Sequence, residues 1–182
     1  MTAQRHDRDS VTATALRLLD RVGLPDLSMR RLATELEVQP SALYWHFPSK
    51  QVLLAAVADR ILASVPEPTA GADLTAVASA IRDALLAYRD GAEVVMSTYA
   101  MRLGARRAQD TLQAVLGDAD PALADAVFEF VLGHSTLLQQ RMHAQSVGAV
   151  ADAEADPTAD LDRVFHAGIR AFAAVSADRP PA

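Results

Sequence analysis

Apolar residues recur at three- and four-residue intervals through most of this chain, the spacing of helices that bury one stripe. Val11, Ala15, Leu18 and Val22 form the first stripe, and Gly23 supplies a stop, so a helix is predicted over 8–22. Ser28 can cap a second helix, with Leu27 and Leu32 flanking it as a hydrophobic staple. Met29, Leu32, Ala33 and Leu36 make its inner face. After a turn at Glu37-Val38, Gln39-Pro40 opens a third, short helix, because a proline's missing N–H costs nothing at the first helical position. It ends near Phe47-Pro48. Ser49 caps a fourth helix over 49–65, carrying Leu53, Leu54, Val57, Ile61 and Leu62, and the Pro66-x-Pro68 segment with Gly71 marks a boundary.

Leu74, Val77, Ile81, Leu85 and Tyr88 predict a fifth helix, and Gly91 a break before a short helix over 92–98. A seventh follows over 101–116. Pro121 starts a long helix to about residue 145, whose apolar positions surround more than one face, so it must be buried on more than one side. Residues 146–159, rich in Ala, Asp, Glu and Gly, read as a mobile acidic loop. A last helix over 160–175 aligns Leu161, Phe165, Gly168, Ile169 and Phe172. The predicted fold class is all-α. An N-terminal three-helix helix-turn-helix domain, 1–50, is joined by the helix over 49–65 to a C-terminal helical bundle, 66–182, that dimerises.

Composition narrows the function. The absence of cysteine removes disulfides, thiolate zinc sites and cysteine nucleophiles together. No nucleophile elbow, glycine-rich phosphate loop or HExxH helix is present, so neither an enzyme nor a cofactor is predicted. The charged N-terminus lacks the apolar core of a secretory signal, and no run approaches the ~20 apolar residues of a membrane span, which predicts a cytoplasmic protein. A formal charge of −6 argues at first against nucleic acid. It is unevenly spread. Residues 1–50 hold seven Arg or Lys against six acids, net +1, which leaves net −7 for residues 51–182. That is a weakly basic head on an acidic body.

Two short helices joined by a tight turn, braced by a third, lay the second of the pair in a DNA major groove. The predicted third helix carries Gln39, Ser41, Ala42, Tyr44, Trp45 and His46, types suited to base edges, thymine methyls and phosphates. Leu43-Tyr44-Trp45-His46-Phe47 followed by Lys50 resembles the signature of the tetracycline-repressor (TetR) family, and Leu27-Ser28-x-Arg30-x-Leu32-Ala33 and Leu53-Leu54 keep that family's spacing. The resemblance covers about residues 8–62. It implies a homodimer on double-stranded palindromic operator DNA, with Tyr44 and Lys50 on phosphates and Arg30, Gln39, Pro40, Ser41 and His46 near bases or backbone. Trp45 is open between packing and DNA contact, and His46 has no second ligand at a spacing that would hold a metal. One position departs from the family: Glu37 stands where a glycine usually makes the turn between helices 2 and 3.

In the body, Tyr88-Arg89-Asp90-Gly91-Ala92-x-Val94 and Gly133-His134-x-Thr136-Leu137 resemble segments of the tetracycline-binding branch. That branch chelates a drug–magnesium complex through histidine and glutamate, where the alignment places Val95 and Met142. Neither supplies the oxygen or nitrogen donors required. A metal-free pocket for a small apolar or amphipathic effector is therefore expected, lined by Ile81, Leu85, Met96, Tyr99, Phe128 and Leu132, with Tyr99 and His134 as polar handles. The long helix and the last helix each offer a second apolar face, so a four-helix dimer interface is expected, filled by Val131, Leu138, Phe165, Ile169 and Phe172, with Gly168 allowing close approach. The reading is a ligand-released repressor. A helical ligand-binding or dimerisation protein without DNA binding, and a TetR-like activator, are the alternatives.

Overall fold

The computed structural model describes residues 6–67, 72–117, 121–149 and 159–177. Among these the regular structure is helical: α1 (Arg8–Val22), α2 (Met29–Glu35), α3 (Pro40–His46), α4 (Lys50–Ile61), a 3-10 turn (Leu62–Ser64), α5 (Leu74–Leu86), α6 (Gly91–Ala100), α7 (Arg106–Leu116), α8 (Pro121–Ser146) and α9 (Ala159–Ala177).

The head is built by caps and one small core. Asp7 opens α1 with a reciprocal capping box, its carboxylate accepting from the Ser10 N–H at 2.8 Å while the Ser10 hydroxyl oxygen accepts from the Asp7 N–H at 3.0 Å. Ser28 and Ser49 cap α2 and α4, each accepting a backbone N–H three residues on at 3.2 Å. Val11, Ala15, Leu18 and Leu19 from α1 meet Leu27, Leu32, Leu43, Phe47, Leu53 and Val57, all essentially solvent-free. Val22, the last residue of the α1 stripe, is only partly buried at its edge.

α4 leads into the body. The chain after it is stapled to α7: the Arg107 guanidinium donates to the Val65 carbonyl at 2.9 Å and pairs with Glu67 at 2.8 Å, and the Thr111 hydroxyl lies 3.2 Å from the Pro66 carbonyl. In the body α5 and α7 pack on α8, α9 lies along α5 and α8, and α6 runs between α4 and α8. Pro68 and Gly71, expected at the boundary, and residues 150–158 of the expected acidic loop lie outside the described residues.

The starts of α6 and α7 differ from the sequence expectation, and left-handed backbone explains both; α4, expected to run to 65, ends at Ile61 and tightens into the 3-10 turn, whereas α8 ends where expected. The break before α6 falls at Asp90 (φ 55), so Gly91 begins the helix. α7 starts at Arg106, because Arg102, Gly104 and Ala105 all have positive φ (57, 68 and 66) and cannot be helical. α8 ends at Ser146, with Gly148 in the left-handed cap position at φ 68.

Head and body meet at the α5–α6 corner. The Asp90 carboxylate accepts from the Leu24 N–H at 2.7 Å, and the Arg89 N–H donates to Asp20 at 3.0 Å. Gln139 on α8 closes the corner from behind. Its amide nitrogen donates to the carbonyls of Leu85 (3.2 Å) and Tyr88 (2.8 Å), and its oxygen accepts from the Ala92 N–H (3.0 Å). A Cβ on Gly91 would stand 2.5 Å from the Leu85 carbonyl oxygen, which is backbone and cannot swing aside. We predict that Gly91→Ala lowers the unfolding free energy by about 2 kcal/mol, measured by urea denaturation. A loss under ~0.5 kcal/mol would show that the corner opens at little cost.

Candidate nucleic-acid interface and effector domain

The turn between α2 and α3 forms despite Glu37. Glu37 takes φ 54, its N–H donates to the Thr34 carbonyl at 3.2 Å, and the Val38 N–H donates to the Ala33 carbonyl at 3.0 Å. This is the paired closure that usually carries glycine, so a non-glycine here costs about 1 kcal/mol without undoing the turn. Pro40 then starts α3 at its first position.

Within α3 only Leu43 is buried, and Phe47 just beyond it is sunk completely. The face opposite is wet. Gln39, Pro40, Ser41, Ala42 and Tyr44 are exposed, and Trp45 is 89% exposed, which removes packing as its role. His46 and Lys50 are half-buried at the foot of the same helix, and Arg30 is exposed on α2. The structure thus brings all nine expected DNA-contacting residues onto α2, α3 and the start of α4. Other head cations are engaged: Arg21 with Glu35 at 2.6 Å, which holds that carboxylate below its ordinary range, and Arg31 with Asp26 at 3.4 Å.

In the body, Ile81, Leu85, Phe128 and Leu132 are buried, with Met96 and Tyr99 half-buried beside them. The Tyr99 ring stands edge-on to Phe128 at 5.2 Å, and its hydroxyl donates to Glu129 at 3.3 Å. These residues close on one another as core. Among the described residues, clefts lie elsewhere that these residues do not line. One of 620 Å³ is lined by Tyr88, Arg89, Asp90, Gln139, Met142 and neighbours, and one of 380 Å³ adjoins it. A third, of 520 Å³, lies between α1 and α4. His134 departs from its expected place. Its ring packs on Phe165 at 5.1 Å and Phe130 at 6.1 Å, toward α9, so it is not a partner of Tyr99. Two positions along α8 from Leu132, it points to a different side.

The expected dimer residues also need correction. Val131, Leu138, Phe165 and Ile169 are buried inside the protomer and are not its outer surface. Gly168 allows close approach within the chain, since a Cβ there would meet the Phe130 ring at 2.3 Å, and Phe172 packs on Phe130 at 5.7 Å. The apolar residues that α8 and α9 leave in water include Gly133, Leu137 and Met142, and Val164, Ala167, Ala171 and Val175. A helix with two apolar sides does not announce which one meets its own chain, and here the larger side chains went inward. Three residues at the head–body joint, Asp20, Asp90 and Gln139, were not singled out from the sequence. The Asp90-Gly91 pair after the fifth stripe was the available signal, since such dipeptides favour left-handed turns.

Residues 11–57 match the family described as bacterial regulatory proteins, tetR family. The chain is 38% identical over 152 residues to the class C tetracycline repressor of Escherichia coli, across 76% of this chain and 68% of that one. Other tetracycline-repressor classes match over about half of their own length. Among solved structures, BioQ of Mycobacterium smegmatis superposes with a TM-score of 0.77 at 36% identity, covering 93% of this chain and 99% of that one. BioQ with its double-stranded DNA operator superposes with a TM-score of 0.76 at 33% identity, covering 96% and 100%.

The His134 environment gives a pH signature. Burial first, and the Arg82 guanidinium second, hold its imidazole below the ordinary value of 6.5, while Asp162 acts in the opposite sense. The folded value is below the unfolded one, so this contribution to stability is complete above about pH 6.5 and is lost as pH falls from there through the folded value. We predict that His134→Phe flattens the fall in melting temperature between pH 7.5 and 5. Parallel curves for parent and variant would remove His134 as a source.

Proposed function

The chain belongs to the TetR family of bacterial regulatory proteins, and from that membership we propose a dimeric, cytoplasmic transcriptional repressor that binds a palindromic operator and is released by a small apolar effector. One observation carries the reading: α3 sinks Leu43 and leaves Tyr44 and Trp45 in water. Exposing large aromatics is unfavourable unless a partner covers them. On DNA, Tyr44 and Lys50 would take phosphates, and Gln39, Pro40, Ser41, Ala42, Trp45 and His46 would face base edges or the adjoining backbone, with Arg30 at the flank. BioQ bound to its operator supports this by fold.

The second copy would cover Gly133, Leu137, Val164, Ala167, Ala171 and Val175, which are among the apolar residues left exposed on α8 and α9. The effector would part α5, α6 and α8 where Ile81, Leu85, Met96, Tyr99, Phe128 and Leu132 now close, with the Tyr99 hydroxyl and Glu129 as polar contacts. Val95, apolar and buried, and the thioether of Met142 suit no hard magnesium ion.

Release would run through α6. Asp90 before its first turn grips the turn after α1 at Leu24, and the turn after α6 grips α4, where the Asp59 carboxylate accepts from the Ala105 N–H at 2.9 Å. Moving α6 would then move the head, and a coupling of about 1–3 kcal/mol suffices for a sizeable loss of occupancy. Equal separation of the two heads in operator-bound and effector-bound dimers would overturn this route.

Gel retardation with the DNA upstream of the chain's own coding sequence tests the function. The parent should shift that fragment, Lys50→Ala should reduce the slope of log affinity against log salt by about 0.9, and Gln39→Ala should change base preference. If the parent shifts no duplex at low salt, the repressor reading is lost.

A further inference from the structure

α3 is held by very little. Seven residues are too few to be helical alone, Gln39 makes no side-chain cap, and Leu43 is the helix's only buried residue. Something else must fix the direction in which its polar face points.

We infer that Arg8, in the first turn of α1, is the residue that positions the recognition helix, an inference that rests on the DNA-binding reading above. Its Nη1 donates to the His46 carbonyl oxygen at 2.6 Å, the last carbonyl of α3, and its guanidinium lies 4.4 Å from the centre of the Phe47 ring. The two contacts act on adjacent residues. A cation at a helix C-terminus satisfies an orphan acceptor and meets the negative end of the helix dipole. The same group also covers the aromatic ring that anchors that end in the core.

Arg8 is itself fixed. The capping box of Asp7 and Ser10 sets the backbone on one side of it, and on the other Asp9 pairs with Arg60 of α4 at 2.5 Å. Three consecutive residues therefore tie the start of α1 to its own cap, to α3 and to α4. A side chain engaged in this way positions the groove-reading helix and does not itself take a phosphate.

Arg8→Met in the full chain separates the roles, because methionine keeps an apolar stem over Phe47 but removes charge and donor. Binding is measured on the operator fragment and on a scrambled duplex of equal length, each at several salt concentrations, together with thermal melting. The expected result is about tenfold weaker operator binding, with unchanged affinity for the scrambled duplex, an unchanged salt slope and an unchanged melting temperature. Amide exchange without DNA should quicken at Leu43 to Phe47 and stay as in the parent at Ala15 to Leu19.

A slope reduced by about 0.9, with both duplexes weakened alike, would make Arg8 a phosphate contact and overturn the inference. So would a lowered melting temperature with both affinities reduced, or a variant indistinguishable from the parent. A parent that binds neither duplex would instead defeat the repressor reading, and the exchange measurement would still decide whether Arg8 holds α3.

Discussion

Asp90 sits at φ 55, a conformation that costs a non-glycine residue about 1 kcal/mol, and the joint between head and body exists because it does so. In that conformation its carboxylate reaches the Leu24 N–H and makes no cap on its own helix. The unsatisfied donor at the start of α6 is then met from α8, by the Gln139 oxygen on the Ala92 N–H, while the other end of the same amide takes up the Leu85 and Tyr88 carbonyls. One strained residue and one amide therefore join the α1–α2 turn, the end of α5, α6 and α8. Gly23 and Gly91 follow from the same crowding. A Cβ on Gly23 would meet the Asp90 carboxylate at 2.9 Å, and one on Gly91 the Leu85 carbonyl.

The starts of α2, α3, α4 and α8 are legible in the sequence, because a local side chain or proline marks each: Ser28, Ser49 and the prolines at 40 and 121 stand where expected, whereas α6 and α7 have no side-chain cap to mark them. Helix ends were harder. α2 and α6 both close with a left-handed residue and a pair of N–H bonds back into the last turn, yet that residue is Glu37 in one and Arg102 in the other. Neither carries the glycine signal, so apolar spacing alone places the start of α7 five residues before Arg106. Glu37 stands out in the sequence only against the glycine that the family resemblance implies there.

The outward face of α3 is legible residue by residue, since on so short a helix two apolar positions at a spacing of four leave the other side chains outside. The body is not. Val131, Leu138, Phe165 and Ile169 look the same in sequence whether they face a symmetry mate or their own α5 and α8, and small residues such as Ala167 and Ala171 give no apolar signal strong enough to claim the outer face. His134 shows the same limit. A polar residue on an apolar helix suggests a pocket, but its ring is one of a group with Phe130, Phe165 and Phe172, beside the Arg82–Asp162 pair.

The placement of α6 explains how a body of this kind can govern its head. The helix is ten residues long, and both ends are fastened: one through Asp90 to Leu24 in the turn after α1, the other through the turn at Gly104 and Ala105 to Asp59 on α4. Along its length it lies against α8, which Gln139 locks to the same corner. A rigid element held at two points cannot shift without carrying both, so a displacement in the body reaches the head as movement of the whole unit. α6 also packs on α4 within one apolar core that runs from Val11 to Ile169, so under the proposed route this packing and the hydrogen bonds at Asp90, Gln139 and Asp59 would travel together and stay made.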